Sequence, residues 1–537
     1  MCTVPIPDKV SERQYETSSR QVIFPIGIEA CIPEDDMVRF FASEYENLDY
    51  TALYEAYGYS HYPGPGRPRT DPKLLFKICA FAYANDIYSS RKIEEACLKR
   101  IDFIWLLNGE SAPDHSVIAN FRSGECKEAI EDLYYQHVRY LSTIGATDYE
   151  VGIFDGTKIE SFANRYTFVW RGSVEKNLAK LIEKATSAFI RFGIKGDVTT
   201  EKLRSAINNK RKEMTEQQIE MAHGRGHRKS QLQRDCEELS DILEKWLKYE
   251  DQLRIMGPER NSYSKTDPDA TFNRMKDDHM RNGQLKPAYN VQVCVNSEFI
   301  TGIGVYADRN DVNTLVSFIN KLIEKHGQQY EAAVCDAGYE SLSNYRFLDK
   351  LGIDSFIKPT NYEYMKTAKF KKQIGRRENM TYDESGDYYI CANQRRLVFD
   401  REHTFTPKGG TEQTNKVYRC ENCEDCPCRK ECCKSKDVNK PKEIEVNSEF
   451  IEYREESLAN ITSDYGIKLR INRSIQVEGV FGIIKQDHHF RRFLCGGNEK
   501  VMSELHLLGI GYNIRKHYRK TMDDRLDNHL FETKKAS

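Results

Sequence analysis

Three carboxylates in this chain stand where chemistry could be done. Asp155 closes the apolar run Ile153-Phe154, Asp336 closes Val334-Cys335, and Glu478 lies in Val477-Glu478-Gly479-Val480-Phe481-Gly482. Two sit at the ends of strand-like runs and the third on a helix-like run. Brought to one point, they would hold two divalent ions ~4 Å apart and activate an oxygen for in-line displacement at phosphorus. Aspartate and glutamate suit Mg²⁺ (or Mn²⁺), which prefers hard oxygen ligands. Taken singly, each has an ordinary reading: Asp155 before Gly156 and Asp336 before Ala337-Gly338 as turn residues, Glu478 as a solvated helix residue. The combination argues otherwise. Glu478 also shares its helix with Val477, Val480, Phe481 and Ile484, where an unpaired charge is costly.

The elements that must position them are legible as patterns. Residues 150–158 form a strand. Two β-rich runs, 288–295 and 299–306, are joined by Asn296-Ser297-Glu298 as a hairpin. Asp311 stands where it would cap a helix from Val312 to Lys325. A strand over 331–336, a helix over 341–351 and a short strand over 354–358 follow, and a helical pattern returns from Ile471. In a mixed sheet of this order the first strand can lie beside the fourth, so both aspartates emerge at one edge and Glu478 comes in from a flanking helix. The expected fold class is α/β.

The expected organisation is an irregular segment over 1–65, ending in the breaker Tyr62-Pro63-Gly64-Pro65-Gly66, then a helical unit over 66–145. The catalytic sheet takes 146–173 and 257–360, with its C-terminal helices over 466–520 and a tail over 521–537. Residues 174–256 read as a helical hairpin inserted into it. Leu178, Leu181, Ile182, Ala185 and Phe189 form one stripe, and Leu232, Cys236, Leu239, Leu243, Trp246 and Leu253 a coiled-coil-like seam. Residues 361–465 read as a β-rich insertion carrying a cysteine cluster.

Composition constrains the partners. The charged fraction is 30% but the net charge is only −2, so any nucleic-acid surface must be local. The strongest basic run lies between 466 and 520 and includes Arg473, Lys485, Arg491 and Arg492; a second spans Lys358 to Arg377. Such patches grip phosphate with little sequence information. In the helical unit, two short helices, a turn and a third helix bearing His115, Asn120 and Arg122 suit either a helix-turn-helix-like DNA reader or a plain helical bundle. Tyr166, Phe168 and Trp170 alternate as on a strand face and would serve equally to stack on an unpaired base. Cys420, Cys423, Cys426 and Cys432 are one set for a structural Zn²⁺, with unliganded thiols as the alternative. With no apolar stretch long enough for a bilayer and no leader-like start, the expectation is a soluble, cytoplasmic protein without membrane contact.

The segments Phe154-Asp155-Gly156-Thr157-Lys158-Ile159-Glu160, Thr266-Asp267-Pro268-Asp269-Ala270, Tyr289-Asn290-Val291-Gln292, Asp336-Ala337-Gly338-Tyr339 and Glu478-Gly479-Val480-Phe481-Gly482-Ile483-Ile484-Lys485 resemble the DDE transposases of bacterial insertion sequences. The upstream run Pro113-Asp114-His115-Ser116-Val117-Ile118-Ala119-Asn120-Phe121-Arg122 is similar to their helical N-terminal domain. The resemblance implies an RNase H-like catalytic domain with Asp155, Asp336 and Glu478 as its metal triad, and Lys485 near the cleaved bond. It implies double-stranded DNA as partner (terminal inverted repeats and target), a homodimer on that DNA, and nucleoid association. One departure stands out. The family's arginine usually lies four residues before the glutamate, where this chain has Ser474, with Arg473 one step away. Asp267 and Asp269 read as turn-forming residues around Pro268 rather than metal ligands. The alternatives to transposition are a catalytically silent DNA-binding descendant and a nuclease without strand transfer.

Overall fold

The sheet that carries both aspartates is built on one long strand. In the computed structural model, β1 (Val151–Glu160) is followed by a small pair, β2 (Phe168–Trp170) and β3 (Ser262–Ser264), then β4 (Thr271–Arg274), β5 (Leu285–Asn296), β6 (Phe299–Tyr306), β7 (Ala332–Cys335) and β8 (Asp354–Ile357). The structure describes residues 27–58, 69–222, 228–258, 260–275, 284–407, 410–435, 437 and 440–532. The Pro-Gly breaker and most of the expected irregular segment lie outside them, as do the last five residues.

The main sheet runs β4-β5-β1-β7-β8, with β6 also paired to β5. β1 is antiparallel to β5 and parallel to β7, and β7 is parallel to β8. The β5–β6 hairpin turns on Ser297 and Glu298, both at positive φ (55° and 71°), as a two-residue hairpin turn requires. The mixed α/β architecture, with a mixed sheet and an N-terminal helical region, is consistent with a DDE transposase fold.

Among the described residues seven α-helices precede the sheet: α1 (Met37–Glu44), α2 (Thr51–Tyr57), α3 (Pro72–Ala84), α4 (Ser90–Lys99), α5 (Ile101–Leu107), α6 (His115–Ser123) and α7 (Lys127–Thr143). Asp36, Asp71 and Asp114 cap α1, α3 and α6 through backbone N–H groups of the first turn. α3 is buried on nearly every side from Leu75 to Ala84.

Between β2 and β3 the described residues form three helices, α8 (Arg171–Arg191), α9 (Thr200–Glu216) and α10 (Gln231–Met256), where the sequence pattern predicts a two-helix hairpin. Glycines 193 and 196, both at positive φ, end the first, and the Thr199 side chain caps the second. The three close a core of their own around Phe189, Leu203, Ile207, Leu239 and Trp246.

α11 (Leu315–His326) and α12 (Leu342–Leu351) flank the main sheet. A second, antiparallel sheet follows, ordered β13-β12-β11-β10-β9, from β9 (Thr381–Asp383), β10 (Tyr388–Ile390), β11 (Arg396–Phe405), β12 (Gln413–Cys420) and β13 (Glu443–Val446). Helix resumes at 448, earlier than its apolar pattern suggested, because Asn447 and Ser463 cap two consecutive helices, α13 (Ser448–Thr462) and α14 (Asp464–Gly482). α15 (Asn498–Met522) then runs between the sheet and the N-terminal helices, touching β6, α3 and α7. At Gly511 a Cβ would fall 2.6 Å from the Ala84 nitrogen, so glycine is what lets α15 and α3 approach backbone to backbone.

Candidate active site

Register brings the two aspartates together. β1 and β7 pair Phe154 with Cys335, so Asp155 and Asp336, the next residue on each chain, emerge side by side at the end of the parallel pair. Asp155 is the more enclosed, its side chain 16% exposed against 41% for Asp336. Each accepts a local backbone N–H, Asp155 Oδ1 from Gly156 and Asp336 Oδ1 from Gly338, at 2.7 Å in both cases.

α14 lies across both strands. From it Arg473 donates to Asp155 Oδ2 at 2.8 Å and reaches Asp336 Oδ2 at 3.6 Å. The arginine that stands out of the family's step therefore bridges the two aspartates. Farther along the same chain, Lys485 Nζ donates to Thr157 Oγ1 at 2.6 Å and to the Lys158 carbonyl at 3.2 Å. Glu478 lies between these two anchor points, five residues or about 7.5 Å of helix rise beyond Arg473. Its side chain faces solvent, while Val477, Val480 and Ile484 are buried. The expected cost of a buried charge thus does not arise at Glu478. The seven-residue step from Glu478 to Lys485 would keep both on one face of a regular α-helix, but Ile483–Asp487 is a π-turn. The wider turn directs Lys485 onto β1.

Among the described residues the oxygens of the triad do not all approach within 4.8 Å; the group that meets this spacing is Glu94, Asp114 and His115, on the N-terminal helices. The donor set at Asp155 and Asp336 nonetheless fits a divalent cation. Two carboxylates converge on one point, and the charge bridging them is the Arg473 guanidinium, which stands where a cation would. Glu478 would complete the set from the bracketing helix.

A fourth acid of the region escaped the sequence pattern. Asp311 does not cap a regular helix: it opens a short 3₁₀ turn, Asp311–Asn313, and α11 begins at Leu315. Its Oδ1 accepts from Asn290 Nδ2 and Gln292 Nε2, both at 2.9 Å, and from Lys158 Nζ at 3.1 Å. A signal existed in the alternation of Asn290 and Gln292, two polar residues facing one way on an otherwise apolar strand.

Other expected contacts are redistributed. Arg122 is 5% exposed; it donates to Tyr83 Oη and the Tyr88 carbonyl and faces buried Glu504, so it stitches the helical unit to α15 and offers no surface to DNA. Burial raises the Glu504 carboxyl, against the pull of Arg122. His115 Nδ1 lies 3.1 Å from Glu94 and 3.4 Å from Asp114, acidic neighbours for a base-reading helix; Asn120 is exposed. Arg491 is exposed and bonds the Lys485 carbonyl, and Arg492 bonds the carbonyls of Ser161 and Ala163 beyond β1. Much of the C-terminal basic run is engaged internally, with Lys468 on Glu532, Arg515 on Asp86, Lys516 on Glu298 and Lys520 buried. In the second run, Lys358 and Lys366 both pair with Glu363. Asp267 is buried under the Tyr289 hydroxyl and Gly497 N–H, and Asp269 accepts from Asn498 N at the start of α15. Both fasten that helix to the β3–β4 loop. Tyr166 is off the short strand β2 and exposed, and Phe168 and Trp170 pack on Phe272.

The second sheet gathers thiols. Cys391, Cys420, Cys423, Cys426, Cys428, Cys432 and Cys433 line a cavity of about 20 Å³. Cys391 and Cys420 are buried; Cys420 neighbours Cys423 and Cys391, and Cys432 neighbours Cys391 and Cys423. Cys391, outside the sequence cluster, lines the same cavity, but among the described residues no three of these thiols come within 4.8 Å of one another. Burial pushes the Cys420 thiol up to about 12, and the neighbouring Cys423 adds to the shift.

The α/β sheet delivers two aspartates to one edge, with a third carboxylate on the helix crossing it, an arrangement of oxygen ligands that a divalent metal could use. Comparison with known families narrows the chemistry. Residues 390–518 match the family model described as "Transposase DDE domain", and residues 27–124 match "Transposase domain (DUF772)". The first span contains Glu478 and the cysteines; Asp155 and Asp336 lie outside both. No curated protein and no solved structure matches the chain. Both families are transposases, and together they support a DDE-type insertion-sequence transposase. The family implies a DNA substrate and divalent-metal dependence. No described helix is long and apolar enough to cross a membrane.

Proposed function

We propose that this chain binds the terminal inverted repeats of its own element, hydrolyses the phosphodiester at each end, and directs the freed 3′-hydroxyl onto target DNA. The observation that carries the reading is the β1–β7 register with Arg473 across it: two aspartates on adjacent strands, bridged by a cationic group from the helix that bears Glu478. Asp155, Asp336 and Glu478 would hold Mg²⁺ or Mn²⁺, which when bound supplies Lewis-acid activation of the attacking oxygen and stabilises the leaving one. Lys485, set against Thr157 two residues beyond Asp155, positions a phosphate next to the reacting bond. Arg473 balances the charge of the two aspartates here, and with that charge met by a bound cation its guanidinium would be available to the DNA backbone. Arg491 extends that grip, while Arg492 holds the loop beneath it.

In this reading residues 66–145 engage the element ends through the exposed parts of α6, the helical insertion supports assembly, and two copies act on paired ends near the nucleoid. Cys391, Cys420, Cys423 and Cys432 would hold a structural Zn²⁺, which when bound would tie the second sheet together.

The test is cleavage and joining of DNA carrying the element's ends, with Mg²⁺ and with EDTA. Nicked and joined products from wild type, and none from Asp155→Ala, are expected. Equal inertness of both chains would favour the silent descendant, and cut ends that never join would favour a nuclease.

A further inference from the structure

Asp311 sits behind the catalytic edge, where three hydrogen bonds converge on one of its oxygens. The donors come from two strands: Lys158, three residues past Asp155 on β1, and Asn290 and Gln292 on β5. Asn290 and Gln292 are buried, 1% and 0% exposed, so their amides have no water with which to exchange partners. The register pairs Gly156 with Gln292 and Lys158 with Asn290, which puts all four on the sheet face opposite the Asp155 side chain.

The Gln292 amide transmits this anchorage. Its Nε2 donates to Asp311 Oδ1 and to Asn290 Oδ1, both at 2.9 Å, which leaves Oε1 to accept from the Tyr339 hydroxyl. Tyr339 closes the 3₁₀ turn Ala337–Tyr339 that begins at Asp336. It is fully buried, and burial beside Asp155 and Asp311 raises its hydroxyl well above the usual range, so it stays a donor. One carboxylate thereby holds two things: the β1 segment beyond Asp155, through Lys158, and the turn carrying Asp336, through Gln292 and Tyr339. Gly156 supplies the room. A Cβ there would overlap Gln292 Nε2 and lie 2.7 Å from Asp311 Oδ1, so the glycine after Asp155 is the slot into which this carboxylate fits.

We propose that Asp311 is a positioning residue for the reaction assigned above: it fixes the Gln292 amide and Lys158 so that Asp155 and Asp336 keep one separation and orientation. The inference rests on that reading. Groups hydrogen-bonded to metal ligands change metal affinity or activity by about 10–100-fold when lost, and Asp311 acts on Asp336 at one further remove, through the Gln292–Tyr339 pair.

The experiment compares wild type, Asp311→Asn, Tyr339→Phe and the double variant in the full chain. It reads Mn²⁺ binding by EPR titration without DNA, end cleavage, and thermal midpoint. Asp311→Asn keeps the volume but presents an amide N–H₂ to donors. Expected are a half-saturating Mn²⁺ concentration raised about tenfold, kcat lowered about 10–100-fold with KM for DNA unchanged, and Tyr339→Phe moving the same quantities. The double variant should be no worse than the poorer single one, because both act through Gln292. Wild-type Mn²⁺ affinity and kcat in Asp311→Asn, or strictly additive losses in the double variant, would overturn the proposal. Should Asp311→Asn fail to fold, Tyr339→Phe with wild-type binding and kcat overturns it alone. A wild-type chain that neither binds Mn²⁺ nor cleaves removes the parent reading, an outcome distinct from all of these.

Discussion

Replacing Arg473 by glutamine should tighten the first divalent ion while weakening the enzyme. With neighbouring strands about 5 Å apart, two full negative charges at Asp155 and Asp336 repel by about 3 kcal/mol at an effective dielectric of about 20. Arg473, 2.8 Å from one and 3.6 Å from the other, offsets that repulsion when no metal is bound. Asp336 is 41% exposed, so solvent screening reduces the figure to about 1–2 kcal/mol. In Arg473→Gln the offset is gone, and a divalent ion recovers it on binding. The first Mn²⁺ should therefore bind about 5–30-fold more tightly than to wild type, by EPR or calorimetric titration without DNA. Cleavage should fall in the same variant, because the guanidinium no longer reaches the DNA backbone. Asp155→Asn should bind the ion poorly with or without Arg473. Equal or weaker Mn²⁺ binding by Arg473→Gln would refute the argument that the arginine occupies the cation's place.

Glu478→Gln should leave the thermal midpoint unchanged, since the side chain is exposed, yet reduce end cleavage about a hundredfold or more; retained cleavage in a gel assay would remove Glu478 from the site. Arg122→Ala should cost about 2–4 kcal/mol in urea unfolding, because it removes the buried guanidinium's bonds to Tyr83 Oη and the Tyr88 carbonyl and the positive charge facing buried Glu504. A loss below 1 kcal/mol would contradict that stitching role. Burial pulls His137 and His506 down to about 3 and His326 to about 4, so all three are neutral in the fold and take up protons on unfolding below about pH 6.5. Stability is then full above pH 6.5 and lost as pH falls toward 4. Each contributes up to about 2 kcal/mol between pH 7.5 and 5, read as a drop in urea midpoint that a His137→Gln, His506→Gln chain should lessen. Elemental analysis should find one zinc per chain, lost in Cys391→Ser and Cys420→Ser and kept in Cys433→Ser; a zinc-free wild type would dismiss the site.

The triad's strands were readable because each ends an apolar run in a charge, and strand order alone allowed the first to lie beside the fourth. Features that depend on distant partners were not readable. Arg122 has the spacing of a DNA-facing residue, and only the packing of α15 shows that it faces Glu504 instead. Asp311 carries a helix-capping signature, yet a buried pair of amides on another strand competes for its carboxylate and wins. Cys391 lies twenty-nine residues before the cluster it joins, and the fold of the second sheet closes that gap. The basic C-terminal run looked like one surface in composition, but α15 engages Arg515 with Asp86 and Lys516 with Glu298 and buries Lys520.

The close seam between α15 and α3 has a consequence for engineering and for the evolution of specificity. Because Gly511 packs on the backbone of Ala84, the N-terminal helices cannot be cut away or exchanged for another recognition module without stripping a buried face from the helix that spans the catalytic sheet. On the function proposed above, a new preference for element ends would then come from substitutions on exposed faces such as Ser116 and Asn120 of α6, not from shuffling whole domains.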